Sequence, residues 1–88
     1  MSKKAIELQH PLMVSGAQVS VLHLRRPKVR DLERMERAGD KDVAKSITLI
    51  ADLSEQDPDT IRDLDAEDFV AVSEAVGAML GKKITPAA

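Results

Sequence analysis

The chain has no cysteine, tryptophan or tyrosine, and Phe69 is its one aromatic residue. Without cysteine there is no disulfide, no thiolate nucleophile and no cysteine-type zinc site. A single ring provides no stacking platform of the kind that holds single-stranded nucleic acid. The core must come from Leu, Ile, Val, Met and Ala. Long apolar runs are missing as well: none approaches the ~20 residues of a membrane span. The opening Met1-Ser-Lys-Lys-Ala-Ile-Glu-Leu-Gln-His10 carries basic residues with no apolar stretch behind them, so it does not read as a secretion signal. The absence of cysteine fits a reducing cytoplasm.

What is present is charge, unevenly placed. Residues 1–39 carry eight Lys/Arg against four Asp/Glu, and residues 40–88 carry five against eleven. Either the halves attract each other within one monomer, or the surface is bipolar and suits charged partners and head-to-tail contact between copies. At 88 residues the chain reads as one domain, 1–88. A domain this small is only modestly stable alone, so partner binding or self-association is expected to contribute.

Alternation predicts a first strand over Ala5–Val14, interrupted by Pro11, which demands an edge or a bulge. Ser15-Gly16 marks a turn, and Val19–Leu24 forms the second strand. At Arg25-Arg26-Pro27 the strand must stop, and Pro27 is expected to open a helix. That first helix, Lys28–Ala38, places Val29, Leu32 and Met35 on an apolar stripe. Asp40 caps a second helix, Lys41–Leu53, with Val43, Ile47, Ile50 and Ala51 inward and Leu49 and Leu53 widening the face. Asp57-Pro58 starts a short third helix with Ile61 and Leu64 inward, and Asp65 caps the last. There Glu67 and Asp68 suit the helix dipole, while Phe69, Val72, Val76, Met79 and Leu80 face inward up to Gly81. The fold class is α+β: an N-terminal β-hairpin (about 4–25), then three or four short α-helices (about 28–81), and a frayed tail, 82–88.

Catalytic chemistry finds little to stand on. No serine or threonine sits in a Gly-x-Ser-x-Gly elbow, and no glycine-rich phosphate loop is present. His10 and His23 are the two histidines; a hairpin turning at Ser15-Gly16 is expected to bring them together near Glu7, but their spacing is not that of a metal site. The acidic series Asp57, Asp59, Asp63, Asp65, Glu67 and Asp68 lacks the central glycine of a calcium loop and reads as solvated helix caps. No metal, cofactor or catalytic residue is assigned. Arg25, Arg26, Lys28, Arg30, Arg34 and Arg37 could follow a phosphate backbone, which makes a small nucleic-acid-binding regulator the alternative reading. Interleaved Asp31, Glu33 and Glu36, and a net charge of −2, disfavour it.

One stretch is more specific. Leu24-Arg-Arg-Pro-Lys-Val-Arg-Asp-Leu32 resembles the Leu-Arg-x-Pro-x-x-x-Asp-Leu signature of small tail assembly chaperones of contractile-tailed bacteriophages and Mu-like prophages, the tail protein E-like family. Upstream, Leu8-Gln-His-Pro-Leu12 with Ser15-Gly16 is similar to the family's opening strand, Pro, Gly, strand layout; downstream, Ile50-Ala-Asp-Leu-Ser54, then Asp57-Pro58, Leu64 and Asp68-Phe69 are similar to its later features in order and spacing. The motif positions are Leu24, Arg25, Pro27, Asp31 and Leu32; at Arg26, where many relatives carry an acidic residue, this chain departs.

The resemblance implies a non-enzymatic protein that binds the tape-measure protein in the bacterial host cytoplasm during tail morphogenesis and is absent from the mature virion. The expected contact is a groove between the second and last helices, near Ile47, Ile50, Val72 and Val76, with Arg25 and Arg26 as charged contacts. The resemblance also implies a longer form made by a −1 ribosomal frameshift, and Gly81-Lys82-Lys83 is encodable as a slippery heptamer. Reading the codons checks this. A run of A-AAA-AAG is expected, and a non-slippery run removes the frameshift from this position.

Overall fold

The structure, a computed structural model, describes residues 3–81. The expected tail and the lysine pair at 82–83 lie outside the described residues. The fold is an antiparallel hairpin, β1 (Lys4–Val14) and β2 (Ala17–Leu24), followed by α1 (Val29–Glu36), α2 (Asp42–Ser54), α3 (Pro58–Arg62) and α4 (Ala66–Leu80). Ser15 and Gly16 make the two-residue turn with φ of 51° and 82°. Positive φ at both central positions belongs to the type I′ turn, whose twist matches that of the flanking strands; Gly16 adopts it without strain.

A lone two-stranded sheet is marginal in water, so the helices must cover it. α4 packs on β1 and α2 on β2, while α2 also touches α1, α3 and α4. Leu8, Leu22 and Leu24 from the hairpin meet Leu49, Ile50, Ala51 and Leu53 of α2, Ile61 and Leu64 around α3, and Val72 and Val76 of α4. Each fully buried Leu or Ile contributes about 1.5–3 kcal/mol. With so few rings, the core depends on the number of such contacts.

The interruption expected at Pro11 is a large one. Glu7 pairs with Val21 and Leu12 with Val19, so Leu8, Gln9, His10 and Pro11 stand opposite Ser20 alone. Amides in such a bulge lose their ladder partners. Two of them find another acceptor: the N–H groups of Gln9 and His10 donate to Oδ1 and Oδ2 of Asp68, each at 2.8 Å. Asp68 is therefore buried, at 2% exposure, rather than a solvated cap. The capping role falls to Asp65, whose carboxylate accepts from the Glu67 N–H.

Helix starts differ slightly from expectation. Pro27 does not open α1. Lys28 stays extended (φ −118°, ψ 166°) as the N-cap, because Asp31 reaches back to accept from its N–H at 2.8 Å. That bond also sets the rotation of α1. Asp31 points inward, and Val29, about 200° further round, is 81% exposed instead of belonging to the apolar stripe. Lys41 rather than Asp40 is the N-cap of α2, and Val43 in its first turn is 61% exposed because that turn projects beyond the core. Asp57, Pro58 and Gly81 take their expected places.

Replacing Asp68 by alanine is expected to leave two bulge amides without acceptors and to lower unfolding free energy by about 2–3 kcal/mol in urea titration. Amide exchange at Gln9 and His10 should accelerate selectively. Unchanged protection at both would contradict this role.

Candidate functional site

The Leu24–Leu32 motif is a joint between hairpin and helices. Leu24 is fully buried, and the Arg25 N–H donates to the Leu53 carbonyl at 3.0 Å, tying the strand end to the end of α2. The Arg25 guanidinium grips Asp31 with both terminal nitrogens, at 2.8 and 2.9 Å. With the Lys28 N–H, this gives the Asp31 carboxylate three donors. The bond from Arg25 holds the Asp31 carboxyl below its ordinary pKa; burial opposes this and the Lys28 N–H assists it. Pro27 stiffens the connection, and Leu32 is half-buried beyond it.

The remaining cations divide. Arg34 forks onto Asp52 at 2.8 and 3.3 Å, joining α1 to α2; Arg37 lies 3.8 Å from Glu33, and Lys45 3.4 Å from Glu36. Arg26, Lys28 and Arg30 have no side-chain carboxylate partner among the described residues. Three members of the arginine-rich series that could follow a phosphate backbone are thus engaged within the monomer.

The histidines separate. His23 pairs with Ala5 across the ladder, while His10 in the bulge turns to α4, with Nε2 2.9 Å from Glu67 and 3.9 Å from Asp65. The three ligand atoms lie within 4.8 Å of one another, on exposed residues. The Glu67 hydrogen bond, followed by the Asp65 charge, raises the His10 pKa. The cluster acts as a second, solvent-facing tie beside the Asp68 bonds.

Of the four residues expected to line a groove, Ile50, Val72 and Val76 sit together in the monomer core at 1%, 0% and 4% exposure. A groove through them exists only if α2 and α4 part. Ile47 is half-buried and reaches the surface. There it lines an open cleft of about 220 Å³ with Val43, Ile61, Arg62, Leu64, Ala66 and Phe69, where α2, α3 and α4 meet. Phe69, expected inside, is half-buried at this edge. Arg62 is the one charged residue of this lining, and its guanidinium is bonded to Asp59 at 2.8 Å, so the cleft is mainly apolar. A second depression of about 390 Å³ is basic: Lys3, Lys4 and Arg26 line it with Ala5 and Met79.

Sequence reasoning missed the roles of Asp68 and Asp31, although a signal was present. Asp68 is in phase with Val72 and Val76, and Asp31 with Met35, so each carboxylate lies on the inward face of its helix.

Together these features describe a small α+β domain, several of whose charged groups tie its own elements together and whose apolar surface opens at one end. Among the described residues no helix is long and apolar enough to cross a membrane. The family model described as "Phage tail assembly chaperone proteins, E, or 41 or 14" matches residues 5–81, and the chain belongs to that family. No curated protein and no solved structure matches it.

Removing Arg25 leaves a buried carboxylate with one donor. Arg25→Ala is expected to cost about 2–4 kcal/mol, and Arg25→Lys less, because an ammonium cannot reproduce the fork. Denaturant titration separates the three proteins; equal midpoints would contradict the joint.

The two shifted groups predict opposite pH trends. The Asp31 contribution is complete above the ordinary carboxylate pKa of about 4 and is lost as pH falls through its lowered value. The His10 contribution is complete below about 6.5 and is lost as pH rises through its raised value. His10→Gln should therefore flatten the neutral-to-alkaline limb of stability against pH and leave the acid limb intact. An unchanged alkaline limb would exclude the His10 tie.

Proposed function

We propose that this chain binds the tape-measure protein during tail assembly by holding an amphipathic helical segment in the cleft between α2, α3 and α4. No bond is made or broken. The observation that carries the reading is the cleft itself: Val43, Ile47, Ala66 and Phe69 present apolar surface on a domain whose core is otherwise closed. A helix with apolar residues at i, i+3, i+4 and i+7 would lay that stripe in the cleft. Covering such a stripe before the tail tube polymerises would delay its aggregation. A protein with this role works in the host cytoplasm and is left out of the finished virion.

Membership of a tail assembly chaperone family supports the coarse role. The burial of Ile50, Val72 and Val76 favours moving the groove outward to the cleft edge, with Ile47 as the residue common to both. Arg26, exposed and free of a carboxylate among the described residues, lines the separate depression with Lys3, Lys4 and Met79, so in this proposal it would touch only a part of the client that runs beyond the cleft. Arg25 is held by Asp31.

Ile50→Asp would bury a charge and unfold the domain, so the test uses the cleft edge. Ile47→Asp and Phe69→Asp are expected to reduce co-purification with the tape-measure protein at least tenfold while circular dichroism stays native. Full binding by both folded variants would remove the cleft from the account.

A further inference from the structure

The basic depression lies at the far end of α4 from the cleft, with roughly 15 Å of helix between Phe69 and Met79. Three segments build it. The chain entering β1 supplies Lys3, Lys4 and Ala5, the joint supplies Arg26, and the last turns of α4 supply Met79. The framework fixes the backbone of two of these cations. Lys4 pairs with Leu24 in the ladder. The Arg26 carbonyl accepts from the Arg25 guanidinium at 3.2 Å, and Pro27 stiffens the chain behind it. The lining holds no acidic side chain, and among the described residues none of the three cations has a carboxylate partner. The carboxyl end of α4 contributes roughly half a negative charge, which three cations outweigh. Lys28 and Arg30, exposed and also without a carboxylate partner among the described residues, carry positive charge onward from Arg26. On a chain of net charge −2 this is a local excess of the opposite sign.

Charge alone would attract any anion, and the apolar part of the lining narrows the class. Met79 is half-buried, with Ala5 exposed beside it. An unbranched thioether adapts to an incoming aliphatic side chain. The stems of Lys and Arg add apolar surface while their heads stay in water. A nucleic acid would need rings on which to stack its bases, and the one ring of this chain, Phe69, is at the cleft. A lone phosphate would leave Met79 and Ala5 uncovered. We infer that the depression binds an acidic segment of a partner polypeptide, with an aliphatic side chain against Met79 and Ala5 and carboxylates on Lys3, Lys4 and Arg26. Exposed ion pairs are individually weak. Charge therefore supplies orientation and a fast encounter, and the aliphatic contact supplies the preference among anions. The site is separate from the cleft and does not depend on what the cleft holds.

Fluorescence anisotropy of the full chain with a labelled peptide, glutamates flanking one central leucine, gives the first readout. Saturable binding is expected in about 0.1 M salt, weakened about tenfold or more in about 1 M salt, where the Debye length drops to about 3 Å. Glycine in place of the peptide's leucine should weaken binding several-fold. Lys4→Glu/Arg26→Glu should abolish it, with circular dichroism confirming the fold. On the unmodified protein, backbone amide shifts should move at Lys4, Ala5, Arg26 and Met79 and stay unchanged at Val43, Ile47 and Phe69. That map and the salt series keep the test decisive if the variant fails to fold. Absence of saturable binding overturns the inference, as does binding indifferent to salt or to the loss of the leucine. Tighter binding of oligothymidylate than of the peptide also overturns it, by assigning the patch to phosphate. A sedimenting mass that rises with protein concentration and falls when the peptide is added overturns it as well, by assigning the patch to a second copy.

Discussion

The architecture depends on one carboxylate. Asp68 accepts from the N–H groups of Gln9 and His10, residues nearly sixty positions away along the chain. The bulge that frees these amides would otherwise leave unpaired donors in a hairpin too small to stand alone. The charge is tolerated because two donors and the positive end of α4 face it. The bulge and the helix therefore hold each other in place, and β1 becomes a fixed wall against which Val72 and Val76 pack.

Asp31 solves the corresponding problem at the other end of the hairpin. There β2 must stop and α1 must leave at a set angle. Arg25, Asp31 and the Lys28 N–H fix that angle, and the Arg25 N–H fixes the strand end to α2. These charges hold the framework, and the Asp31 carboxylate is turned away from solvent. A core of aliphatic side chains packs without strong directionality, so two buried, directional carboxylates supply orientation that a single ring cannot.

Much of this was legible beforehand. Alternation and turn chemistry located both strands, Asp57-Pro58 and Asp65 located two helix starts, and the Leu24–Leu32 motif pointed to the family. Burial within each helix was harder to read, because the 3.6-residue period gives a stripe without its rotation. The rotation of α1 is set by Asp31, a residue that composition assigns to solvent. The same limitation bears on the expected groove: Ile47, Ile50, Val72 and Val76 share apolar character, but three are core and one is edge. Which three depends on how α2 meets α4, a contact between distant segments that local pattern does not encode.

The framework explains why apolar surface is available at all. Hairpin and joint close the core from two sides, while the first turns of α2 and α4 project past it and leave a mainly apolar cleft. The most direct test of the account is backbone amide chemical-shift mapping of the folded domain during titration with tape-measure segments. The account predicts shifts concentrated at Val43, Ile47, Leu64, Ala66 and Phe69, with the amides of Gln9, His10 and Lys28 unmoved. Shifts confined to the hairpin, or spread through the core at Ile50 and Val72, would contradict it.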